Sequence, residues 1–175
     1  MHIKRSLAML GLLVASLAGF VLGPAGAAHA AFPSHTITPQ IKLFIHDEEG
    51  FFFSDELTNL NLNGGQGTVS SAVSQTWHWT TGCITGEIQV DVTLKVNLDV
   101  TGRIQTRTDV TLFEGNSNCA SMHFAGSGFR NKAGTGAGFN SLPTFRVNNT
   151  TDYSKADIAA GDCDFVDVTT TFNDF

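Results

Sequence analysis

Trp77-His78-Trp79 sets two indoles at i and i+2 with an imidazole between them. On a strand this spacing puts both indoles on one face and His78 on the other. Two flat aromatic faces with indole N–H groups beside them suit stacking on sugar rings, so Trp77 and Trp79 are the candidate ligand-binding residues. The plainer reading is core packing, the commoner fate of paired tryptophans. Val69 and Val73 share the indole face of the run Thr68–Thr80 and favour burial, whereas Ser71 and Gln75 share it too. Phe51-Phe52-Phe53 must turn at least one ring outward on a strand, marking an interface or a sheet edge.

Clustered carboxylates offer a second chemistry. Asp162, Asp164 and Asp167 gather where a last strand begins, and His46-Asp47-Glu48-Glu49-Gly50 sits between two apolar runs. Calcium takes about six to eight oxygen ligands, often from adjacent loops, so Asp162, Asp164 and Asp167 are the calcium candidates. Neither cluster matches the D-x-[DN]-x-[DN]-G loop. Acidic turns that keep a chain soluble and blunt its sheet edges weigh more heavily as their explanation. No cofactor is required on this reading, and calcium is the one ion considered.

Catalytic motifs are harder to find. There is no G-x-S-x-G elbow, and Gly134–Gly138 lacks both the spacing and the following helix of a phosphate loop. Beyond residue 30 the histidines are His35, His46, His78 and His123, and no two form H-x-H or H-x-x-x-H. No catalytic residue is assigned. A small hydrolase using His78 or His123 stands as the third functional reading.

The elements that would position these residues lie beyond a leader. Lys4 and Arg5 precede an uncharged run, Ser6–Gly23, and Ala28-His29-Ala30 supplies a small-x-small cleavage pattern. Residues 1–30 therefore read as a secretory signal peptide, and 31–175 as a single all-β extracellular domain. Removing 30 of 175 residues takes two of ten basic residues and no acidic ones, leaving eight against sixteen, a net charge of −8. That balance, with no basic run, excludes nucleic acid as a partner. No apolar stretch of about 18 residues follows the leader, so no membrane span is expected after cleavage. Charged residues are 15% of the chain against the usual ~25%.

Ile84–Val100 carries the strongest structural signal. Every even position from Ile88 to Val100 is apolar and every odd one from Glu87 to Asp99 is polar, which predicts a half-buried strand. Bending is expected, near Gly86 or where the strand crosses a sandwich corner. Arg103–Phe113 is the partner strand, joined by the three-residue loop Val100-Thr101-Gly102 with Gly102 left-handed. Pairs then sum to 202: Leu98 meets Ile104, Val92 meets Val110, and Lys95 meets Arg107, with Asp109 diagonal to Lys95 for relief. Cys83 and Cys119 also sum to 202, so a disulfide is expected between them, although Cys163 remains as an alternative partner for Cys119.

Further strands are expected at Thr36–Ile45, Phe51–Leu62, Thr68–Thr80, Ala120–Phe129, Thr144–Asn148 and Cys163–Phe172, with a short helix at Ser154–Ala160. About eight strands and at most one helix predict an antiparallel β-sandwich, with a small closed antiparallel barrel second. Three functions follow as expectations. The first is a secreted, non-catalytic binding module for an extracellular polysaccharide or cell-envelope polymer. The second is a structural or interaction protein of the cell exterior, calcium-stabilised and bound to a surface protein. The hydrolase is the third.

Overall fold

A computed structural model describes residues 32–48, 56–134, 141–150 and 164–173. The expected helix at Ser154–Ala160, the triple phenylalanine, Asp162, Cys163 and residues 1–30 lie outside them. Among the described residues nine strands run in chain order: β1 His35–Asp47, β2 Glu56–Asn63, β3 Gly67–Val69, β4 Gln75–Thr80, β5 Ile88–Leu98, β6 Ile104–Asn116, β7 Ala120–Gly134, β8 Phe145–Asn148 and β9 Phe165–Asn173. They form two antiparallel sheets, one ordered β2-β1-β9-β8 with β3 also on β1, the other β4-β5-β6-β7. The chain is an all-β sandwich and not a closed barrel.

Strict alternation drives this arrangement. Ile88, Val90, Val92, Leu94 and Val96 are all fully buried on the inner face of β5. Ile41, Leu43 and Ile45 of β1, with Val166 and Val168 of β9, face them from the other sheet in one cluster with Val90 and Val92. Burying each such side chain is worth about 1.5–3 kcal/mol. The interior also carries a polar link between layers: the hydroxyls of Thr108 on β6 and Thr170 on β9, both buried, stand 2.9 Å apart.

The β5–β6 hairpin has the expected register, from Leu98↔Ile104 through Val92↔Val110 to Ile88↔Glu114. Its loop closes as expected, with Gly102 at φ 77° and Asp99 N–H donating to Arg103 O at 2.8 Å. The Asp99 carboxyl is held at about 2 by hydrogen bonds, first from the Thr101 hydroxyl and then from the Arg103 N–H. β5 itself is shorter than the alternation implied. Residues 84–87 turn instead, with Thr85 at φ 57° and Gly86 at φ 100°, so the expected bend is a full turn. Cys83 and Cys119 are disulfide-bonded, with Cα atoms 5.5 Å apart. Cys119 reaches Cys83 from the 3-10 turn Ser117–Cys119, its N–H donating to Gly86 O at 2.7 Å.

Thr68–Thr80 is not one strand. The chain turns between Ser70 and Val73, which form an isolated bridge, so β3 joins one sheet and β4 the other. The turn separates residues that simple parity had placed together: Val69 is fully buried, whereas Val73 is 45% exposed. Two alternating runs on either side of a two-serine turn look continuous because Thr and Ser suit strands and turns alike.

Both open edges between the layers are stitched. At one, the Thr150 N–H and hydroxyl both donate to Ala125 O of β7, at 2.8 and 3.0 Å. Gly126 makes this approach feasible, since a Cβ there would lie 2.2 Å from Asn148 O of β8. The other edge is closed by the tryptophans.

Candidate functional site

Trp77 and Trp79 point into the sandwich from β4, half-buried, and pack against the core clusters. The Trp77 indole N–H donates to Gly65 O at 2.9 Å and that of Trp79 to Asn63 O at 3.2 Å. Gly64 and Gly67 lie close against the Trp77 ring. Both indoles thus clamp the segment after β2 onto β4, with faces packed and N–H groups committed. That geometry is a latch rather than an open stacking platform, because an edge strand turns one full face inward. His78 alternates to the outer face and is exposed.

The two calcium candidates among the described residues, Asp164 and Asp167, do not converge either. Asp164, just before β9, and Asp167 on it differ by an odd number along extended chain, so they face opposite sides of one sheet. Asp167 points outward and holds Arg146 with two bonds of 2.8 Å. Asp164 points inward, is 2% exposed, and accepts the Glu48 N–H at 2.7 Å. Burial first, and then the nearby Asp47 and Glu48 carboxylates, push its carboxyl up to about 6. Among the described residues no group of three His, Cys, Asp or Glu side chains is placed to hold a metal ion.

The outer face of the β4-β5-β6-β7 sheet is the surface with the most varied chemistry. Register lines its side chains into rows: Thr80, Asp91, Thr111 and Ser127; then His78, Thr93, Asp109 and Phe129; then Thr76, Lys95, Arg107 and Asn131. Asn97 and Gln105 continue it toward the hairpin tip. Arg107 is the organising group. Its guanidinium lies 4.2 Å from the centroid of the Phe129 ring, and its Nε–H donates to Asp109 Oδ1 at 2.7 Å. Nη2 reaches the same oxygen at 2.6 Å, which holds the guanidinium pKa above its ordinary value. Phe129 is 54% exposed, so its ring is half-covered by the cation and half open to water.

Two shallow grooves flank Arg107. One, of about 430 Å³, is lined by Lys95, Asn97, Gln105, Arg107, Asn131 and Lys132 among others. The second, about 480 Å³, runs past Asp109, Thr111, Ser127 and Phe129. An open aromatic edge, a fixed guanidinium and a field of amides and hydroxyls can together stack on a ring and bond its hydroxyls. The sequence carried part of this: Lys95 opposite Arg107 followed from the register, but Asp109 pairs with Arg107 two residues along its own strand and not with Lys95. Phe129 was hidden because it ends a run whose alternation is interrupted by the register shift between Leu112 and Phe113.

No protein-family model and no curated protein sequence matches the chain. Among solved structures it is similar to the secretin InvG of the Salmonella SPI-1 type III secretion injectisome (residues 176 to the end, open gate state), with a TM-score of 0.19 and 11% identity over 81% of this chain. The match spans 59% of the secretin chain, and at this TM-score it bears on neither fold nor function.

Proposed function

We propose that the chain is an exported, non-catalytic binding module for an extracellular glycan or cell-envelope polymer, taken on the outer face of the β4-β5-β6-β7 sheet. The observation that carries this reading is the Phe129 ring, open to water on a rigid sheet and braced by Arg107, which Asp109 holds in turn. A ring and guanidinium fixed in this way lose little freedom when a ligand arrives. The flanking grooves fall within the ~300–1,000 Å³ range of ligand sites. Export is supported by the leader-like residues 1–30 and by the Cys83–Cys119 disulfide, which suits an oxidising compartment.

Affinity electrophoresis through gels containing soluble polysaccharides tests the reading. At least one polymer is expected to retard the protein, with Phe129→Ala weakening retention about 5–10-fold, the worth of one aromatic contact. Free migration through every gel would count against it. A second reading, an interaction protein of the cell exterior, draws on Phe124 and Phe129, which are 52% and 54% exposed on the edge strand β7. It predicts that Phe124→Ala and Phe129→Ala disrupt capture of a surface protein and leave polysaccharide retention unchanged.

A further inference from the structure

Lys95 and Arg107 sit directly opposite one another on neighbouring strands. Like charges in that position repel, and a sheet normally answers them with a carboxylate on the same face. Asp109 turns instead to Arg107, which reaches its Oδ1 twice. Among the described residues Lys95 makes no ion pair, and it is exposed. Arg107 spends only two of its five N–H groups on Asp109. The groove between them is lined further by the amides of Asn97, Gln105 and Asn131 and by Lys132, whose ammonium donates to Ser141 O at 2.6 Å, and among the described residues no acidic side chain lines it.

This is an unusual placement for cations in a chain with sixteen acidic and ten basic residues. Two of those ten, Lys95 and Arg107, stand side by side on one outer face. The net charge of the whole molecule opposes an anion at long range, but screening at physiological salt confines that opposition to about 8 Å. Within the groove the local charge decides. A carboxylate lodged between Lys95 and Arg107 would relieve their repulsion, and the amides beside it match sugar hydroxyls.

We infer that the groove between Lys95 and Arg107 binds the carboxylate of an acidic polysaccharide, a polymer of uronate-type sugars. The inference rests on the binding-module reading and specifies its ligand class. Charge complementarity at the paired cations selects the acidic polymer, while Phe129 and the amides supply contacts that a neutral glycan would share.

Isothermal titration with polygalacturonate and with dextran, at low and at physiological salt, tests it on the protein and on three variants. Polygalacturonate is expected to bind and dextran not to. Lys95→Gln should weaken binding about tenfold and Lys95→Glu abolish it, whereas Lys42→Gln, an exposed lysine on the other sheet, should leave it unchanged. Circular dichroism checks that each variant is folded. If dextran binds as well as polygalacturonate, or if Lys95→Gln and Lys42→Gln behave alike, the acidic-ligand inference is overturned and the binding-module reading survives. Binding of neither polymer, at either salt concentration, overturns both.

Discussion

Asp47 ends β1 and Asp164 immediately precedes the antiparallel β9, both one step beyond the pair His46↔Phe165, so continuing the register sets the two buried residues across from each other. Each is 2% exposed, and Oδ2 of Asp47 accepts no hydrogen bond among the described residues. Burial disfavours the charged form of Asp164, and the facing Asp47 carboxylate adds to this, so Asp164 holds its proton up to about pH 6. The sign follows from linkage. Its folded pKa lies above the unfolded value, so the stability it contributes is fully present below about pH 4 and is lost as pH rises through 6. Asp164→Asn keeps an oxygen to accept the Glu48 N–H and removes the charge. It is expected to stabilise the protein by about 1–3 kcal/mol at pH 8, with the gain vanishing near pH 4. Thermal melts of both proteins at the two pH values check this, and an equal gain at both would show that charge is not the cause. This pair was not visible in the sequence, where Asp47 reads as part of a solvated turn. The turn signal was sound in kind, but β1 continues its alternation to Asp47 and carries it inside.

At the scale of elements, local chemistry was legible wherever one hairpin contained it. Alternation and a left-handed glycine settled the β5–β6 register, and through it the cross-strand partners of both strands. The disulfide partner was also identified, although the ladder stops at Ile88↔Glu114 and two turns complete the approach. Legibility failed where the chain changes sheets. Nothing in Thr68–Thr80 announces that β3 and β4 belong to different layers, since the decision lies in which core each run reaches. That single crossing is also what turns Trp77 and Trp79 into a latch. Two expectations belong to this scale. Cys83→Ala with Cys119→Ala opens a 36-residue span, and by chain entropy should lower stability by about 3–4 kcal/mol, read from urea titrations of the variant and the parent. Gly126→Ala forces a methyl toward Asn148 O, and should cost about 1–3 kcal/mol by parting β7 from β8, detected as a lowered melting temperature and faster exchange of the Thr150 amide.

The whole molecule joins two sheets that share an apolar interior and are sewn at both edges by a few hydrogen bonds rather than by a continuous ladder. Its alternation sends the hydrophobic residues of β5 to one side, with Ile104, Val110 and Leu112 of β6, and leaves the other side mostly to Lys, Arg, Asp, Thr, Asn and Gln. The fold class followed from that pattern alone. The binding face did not, because a flat polar sheet and a ligand-binding one have the same alternation. What distinguishes them is which outward residues become neighbours across four strands, and the register shifts between that part of β7 and the β6–β7 turn hide its pairing from the sequence. The most direct test of the account is an amide chemical-shift map of the isotopically labelled protein during titration with polygalacturonate. Resonances of Lys95, Asn97, Gln105, Arg107, Phe129 and Asn131 are predicted to move together and saturably, with the Trp77 and Trp79 indole N–H signals unmoved. Shifts centred on those indoles, or on the outer face of β1 and β9, would contradict it.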